Sequence, residues 1–140
     1  MHDRIKAEAM TWIGTPWHHA ARVKGAGVDC VNFLIAVYSR IGLMPNIKLA
    51  HYPHDWHMHR DEPKFLNGLA EHCDKVDDVM TGDIVMFKYG RHAAHGAIYI
   101  GDNKIVHAWQ QEYCVCITNL ATSPITERIH GYYRPKAMMQ

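Results

Sequence analysis

Residues 27–42 read GVDCVNFLIAVYSRIG. After Asp29 and Cys30 the stretch is almost wholly apolar. Val31, Phe33, Leu34, Ile35, Val37, Tyr38 and Ile41 would cover nearly every side of a helix. A helix that is apolar all round is a buried one. The pattern therefore predicts a central helix over residues 30–41, ended by Gly42 and kept from continuing by Pro45. Asp29 stands where a helix cap belongs, and Cys30 would be the first helical residue. A packing cysteine would usually sit inside the apolar run, whereas Cys30 sits at its mouth.

On the N-terminal side, residues 3–13 place Ile5, Ala9, Trp12 and Ile13 on one side at helical spacing, with Asp3 as a candidate cap. GTPWHHAARVKGAG, between the two helices, reads as a structured loop. On the C-terminal side, residues 46–63 are polar and histidine-rich, and KFLNGLAEHC after Pro63 reads as a short amphipathic helix. From Thr81 the period changes. GDIVMFKYG, AHGAIYIGDN, KIVHAW, YCVCITNL and RIHGYYRP are short β-branched and aromatic runs separated by turn residues. Helices first and strands second predict an α+β fold, with N-terminal helices packed on a small C-terminal antiparallel sheet. With 140 residues and no linker or repeat, residues 1–140 read as a single domain.

Composition narrows the function classes. There are 15 basic and 14 acidic side chains and no basic stripe, which argues against nucleic acid as a partner. No run approaches the ~18 apolar residues of a membrane span. The N-terminus lacks the apolar core of a secretory signal, so the expectation is synthesis in the cytoplasm, with any export by another route. Cys30, Cys73, Cys114 and Cys116 read as reduced thiols, because Cys114 and Cys116 would share one face of a strand in poor geometry for a bridge.

The chemistry centres on Cys30. A helix N-terminus offers unpaired N–H groups and about half a positive charge, both of which favour a thiolate. With a nearby imidazolium such a site lowers a cysteine pKa. The Cys30 N–H would also be placed to bind an oxyanion. From position alone, Cys30 reads equally well as a small packed thiol. Two histidines add weight to the nucleophile. His95 would begin one strand and His107 would end the next, joined at Gly101-Asp102-Asn103. A two-residue loop would turn His107 away from His95. A three-residue loop over 101–103 would set His107 opposite Ala97, on the face of His95. The expectation is the three-residue loop, with His95 as base for Cys30 and His107 orienting it.

The segments GTPWHHAARVKGAGVDC, TGDIVMF, HGAIYIGDNKIVHA and GYYRP together resemble the NlpC family of papain-like cysteine peptidases. They are most similar to a compact subgroup carried by phage tails and gene-transfer particles. The resemblance implies a papain-like core, an acyl-enzyme mechanism on Cys30, His95 and His107, and no cofactor or metal. It implies peptidoglycan stem peptides as substrate, cut between γ-D-glutamate and a diamino acid, with phage-tail or particle hub proteins as partners. Such a component would be assembled into a particle in the cytoplasm and act at the wall from outside. Trp17 stands where many members have a tyrosine near the oxyanion, and an indole N–H can still donate there. DCVNF departs from the common Asp-Cys-Ser-Gly-Phe, with Val31 and Asn32 beside the nucleophile. The alternative function is a non-catalytic particle component that binds the wall or tail proteins on the same fold.

The remaining polar residues divide more evenly. His51, His54, His57 and His59, with Asp55, read as a solvated loop, with a zinc site as the weaker alternative. Arg22 and Lys24 are candidates to contact an acidic stem peptide, and a solvated loop is the competing reading. Trp109 either lines the cleft or packs in the core. Asp83 reads as a turn residue opening a strand, and Cys73, Cys114 and Cys116 as packing residues.

Overall fold

The computed structural model describes residues 1–48, 71–89 and 92–139. Two helices, α1 (His2–Met10) and α2 (Cys30–Arg40), flank a two-strand ribbon, β1 (Arg22–Val23) and β2 (Gly27–Val28). Six strands follow: β3 (Cys73–Val76), β4 (Ile84–Tyr89), β5 (His92–Gly101), β6 (Lys104–Trp109), β7 (Cys114–Asn119) and β8 (Ile129–Pro135). They form one sheet in the order β3-β8-β4-β5-β6-β7, and every pairing is antiparallel. This is the α+β architecture read from the sequence.

α2 is buried from Val31 to Tyr38, Asn32 included, as its almost wholly apolar run requires. The backbone turns left-handed at Gly42 (φ 77°), where a side chain would be strained, and the helix stops. One face of the sheet, with Ile84, Met86, Ile98, Val106 and Ala108, packs on α2 and α1. The alternate residues Val85, Phe87, Ala97 and Ile105 form a second cluster with Ile125. Period-2 alternation thus feeds two cores from the same strands. Each large apolar side chain fully buried there contributes about 1.5–3 kcal/mol relative to exposure.

Three local expectations are corrected. α1 is capped by Met1 rather than Asp3 and ends at Met10, leaving Ile13 exposed while Trp12 packs edge-on against Phe33. Cys73, read as the end of a helix, opens β3 at the sheet edge, and Glu71 and His72 before it form a turn; residues 64–70 of that expected helix lie outside the described residues. The β5–β6 connection is not a three-residue loop. Asp102 and Asn103 both have positive φ (52° and 60°), the two-residue turn of a tight hairpin, and Gly101 (φ 93°) precedes it. A bulge between Tyr99 and Gly101 then shifts the register by one, giving Ile98↔Val106 and Tyr99↔Ile105. Turn plus bulge sets the same strand register as the expected loop, so His107 keeps the face of His95.

Candidate active site

β5 and β6 pair only as far as Ile98 and Val106. Beyond that point β5 continues against β4, with Phe87 opposite His95, and β6 continues against β7, with His107 opposite Cys116. The two strands part, and the site occupies this opening.

The helix start supplies the sulfur. Asp29 sits in extended backbone, and its Oδ1 accepts from the Asn32 N–H (3.0 Å) and from Asn32 Nδ2 (2.9 Å). Its Oδ2 accepts from the Ala20 N–H at 2.8 Å. Asp29 is the cap that its position in the sequence indicates. Cys30 follows as the first residue of α2 and keeps partial solvent exposure. The backbone N–H groups of Gly96, Val31 and Cys30 itself lie around the sulfur and favour its charged form. The Gly96 contact brings the thiol to within one residue of His95 along the chain. The thiol itself corrects an expectation. Burial first, and the Asp29 charge second, push Cys30 up to about 12, while the three N–H groups pull the other way. Desolvation of the charged form outweighs the helix terminus, so the resting sulfur is a thiol.

The two imidazoles bridge the parted strands. His95 Nε2 lies 2.7 Å from His107 Nδ1, with ring centroids 5.0 Å apart. Both residues are buried. Phe87 packs 5.6 Å from the His95 ring, and Trp109 stacks on His107 at 4.9 Å. Trp109 therefore covers the second histidine while remaining half-buried. Burial, and then the neighbouring His95, hold His107 well below the usual histidine range, so it is neutral at pH 7. Its outer nitrogen, Nε2, lies 2.8 Å from Thr118 Oγ1 on β7. Nothing in the sequence singled out Thr118. Only the β6–β7 register, pairing Ile105 with Thr118 and His107 with Cys116, places it on the histidine's face.

The flanking residues take other duties. Arg22 donates from Nε to Asn32 Oδ1 (2.8 Å), from Nη1 to Asn46 Oδ1, and from Nη2 to the Ile47 carbonyl (2.7 Å). It ties the helix start to the chain leaving the helix. Lys24 is likewise engaged, 3.0 Å from Glu8 Oε2 and 2.6 Å from Thr11 Oγ1. Asn32, read as a departure beside the nucleophile, joins Asp29 to Arg22. The Trp17 N–H donates to the Tyr113 carbonyl at 2.8 Å, and Trp17 bridges to Val28, two residues before Cys30. The backbone of Trp17 is thus fixed beside the site, while its ring packs partly buried against the helix-side core. Among the described residues no group of three or more His, Cys, Asp or Glu could hold a metal ion. The segment with His51, His54, Asp55, His57 and His59 lies outside the described residues.

The chain matches the model of the NlpC/P60 family over residues 14–134. Among solved structures it is similar to a NlpC/P60 family protein from Bacillus cereus (TM-score 0.68, 22% identity), covering 96% of this chain and 40% of that one. It is also similar to the NlpC/p60 domain of the peptidoglycan hydrolase SagA (TM-score 0.59, 21% identity, 86% of this chain and 91% of that one). A third likeness is to the peptidoglycan hydrolase RipB from Mycobacterium tuberculosis (TM-score 0.57, 13% identity, 94% of this chain and 62% of that one). At these identities the likeness is one of fold, and the chain spans only two-fifths of the Bacillus cereus protein. No curated protein sequence matches the chain. The matched span takes in the capped helix, the Gly96 contact and both histidines, and on that match the chain belongs to the NlpC/P60 family.

Proposed function

We propose that the chain is a cysteine peptidase that cleaves an amide in the peptide stems of peptidoglycan, with Cys30 as nucleophile, His95 as base and His107 orienting His95. The observation that carries this reading is the 2.7 Å His95–His107 contact at the strand opening where the Gly96 N–H meets the Cys30 sulfur. With Nε2 of His95 bound to His107, Nδ1 is the nitrogen that takes the thiol proton. A thiol pushed up to about 12 is protonated at rest, so its proton transfers as the sulfur attacks the carbonyl. The oxyanion forms beside the helix start, where the Cys30 N–H donates. The C–N bond breaks as His95 returns the proton to the leaving amine, giving a thioester. Water, deprotonated by the same histidine, then attacks the thioester and restores the thiol. The names of SagA and RipB support peptidoglycan as the substrate. The resemblance to tail-borne members supports the bond between γ-D-glutamate and a diamino acid, and a place in the tail of a phage-like particle assembled in the cytoplasm.

Digestion of purified sacculi and of a defined stem tetrapeptide tests the assignment, with products read by mass spectrometry. Cleavage by the native chain and none by Cys30→Ala is expected. Equal cleavage by both rejects Cys30.

The raised thiol favours one competing reading, a non-catalytic particle component that binds the wall or tail proteins on the same fold. Retention on sacculi with no product from any stem peptide would establish that reading in place of the first.

A further inference from the structure

Taking Cys30, His95 and His107 as a catalytic set leaves the direction of the protons open. A neutral imidazole has one N–H and one lone pair, so His95 Nε2 and His107 Nδ1 cannot both donate. If His107 carries its proton on Nδ1, it donates to His95 Nε2. The other His95 nitrogen must then hold that ring's own proton, and a neutral His95 has no lone pair for the thiol. If His107 carries its proton on Nε2, its Nδ1 accepts from His95 Nε2–H. Nδ1 of His95 is then the basic nitrogen. One proton position, on the far ring, decides whether the near ring is a base.

The far side of His107 meets Thr118 Oγ1 at 2.8 Å. A hydroxyl could donate to Nε2 or accept from it. The lone pair that His95 needs for the thiol proton decides between them. A His107 that accepted at Nε2 would carry its proton on Nδ1 and silence His95, so the hydroxyl oxygen has to take the Nε2–H. We propose that Thr118 is a positioning residue whose hydroxyl oxygen, 2.8 Å from His107 Nε2, accepts that hydrogen bond, fixes His107 as the Nε2–H tautomer and so leaves His95 able to act as base. The inference rests on the function proposed above.

Nitrogen-15 spectra of histidine-labelled protein test this, with the His107 signals assigned by their loss in His107→Gln. In the native chain Nε2 should carry the proton and Nδ1 should show the lone-pair shift. Thr118→Val keeps the shape and removes the hydroxyl, and should give mixed or reversed tautomers. Thr118→Ser should restore the native pattern. On a cleavable stem peptide, Thr118→Val should lower kcat by about five- to tenfold with KM unchanged, and Thr118→Ser should recover most of it. A native His107 protonated on Nδ1 overturns the proposal, as does a Thr118→Val spectrum identical to the native one. If the native chain cleaves no stem peptide, the peptidase reading fails while the tautomer result still decides the role of Thr118.

Discussion

Asp83, at the mouth of β4, and His107, on β6, are both wholly buried polar residues of one sheet, yet their bonds are arranged differently. The Asp83 carboxylate accepts from Nε and Nη2 of Arg134, each at 2.8 Å, and from the Met80 N–H at 2.7 Å. Charge meets charge, and the cluster is closed on itself. In the histidine pair, His107 joins His95 on one side and the Thr118 hydroxyl on the other, neither of them a carboxylate. The cluster runs as neutral donors and acceptors from Thr118 through His107 to His95, and it ends beside a partly exposed sulfur. A closed ion pair holds strands together. An open chain of neutral groups with one end at the surface is suited to moving a proton. Burial marks both clusters, and only the way the bonds close tells them apart.

Breaking the closed cluster should have the largest effect on stability. Arg134→Ala leaves the Asp83 carboxylate buried without its countercharge, at a cost of about 3–5 kcal/mol. Urea unfolding measures it. Cys30→Ala, by contrast, should change stability by no more than about 1 kcal/mol while abolishing cleavage. A small loss in Arg134→Ala, or a large one in Cys30→Ala, would erase the distinction between the two clusters.

The open cluster should show itself in acid. His107 is held well below its ordinary value in the folded chain, by burial and then by His95. As pH falls below about 6.5, the unfolded chain takes up this proton first, so unfolding gains. The contribution is fully present above pH 6.5 and is lost as pH falls toward the folded value. The slope is up to about 1.4 kcal/mol per pH unit. Denaturation midpoints at pH 7 and pH 5 should therefore differ more in the native chain than in His107→Gln. Equal differences would mean that His107 is not held neutral.

The sequence carried the strands because alternation feeds two cores, and it carried α2 because an all-round apolar run has only one use. It did not carry β3. CDKV is four residues long with two exposed charges at a sheet edge, and so has no alternation to detect. Cys30, His95 and His107 were legible from type and order. Their relation depended on a register that a bulge, rather than the loop length, supplies. Thr118 was invisible because a threonine on a strand is ordinary until its cross-strand neighbours are known. Arg22 and Lys24 looked solvated because their partners, Asn46 and Glu8, lie far away in sequence. The ionisation of Cys30 was misjudged for a related reason: a helix terminus can be read from sequence, but desolvation depends on what folds over it.

That misjudged ionisation gives the smallest and sharpest prediction. Asp29 caps α2 and, after burial, is the next cause that raises the Cys30 thiol. Asp29→Asn removes the charge and keeps one carbonyl oxygen for the Asn32 N–H. Its amide must then face the Ala20 N–H, donor against donor, a loss of about 1 kcal/mol. Removing an anion beside a thiol stabilises the thiolate, so the Cys30 pKa should fall from its present position near 12. Iodoacetamide labelling at pH 8, followed by peptide mapping, should then run a few-fold faster than in the native chain, with a rise of less than about tenfold because burial remains. In the native chain the rate should keep climbing through pH 9 rather than level off near pH 6. An early plateau would mean that Cys30 and His95 form a standing ion pair, and the sulfur would then belong with Asp83 among the closed charges of this fold.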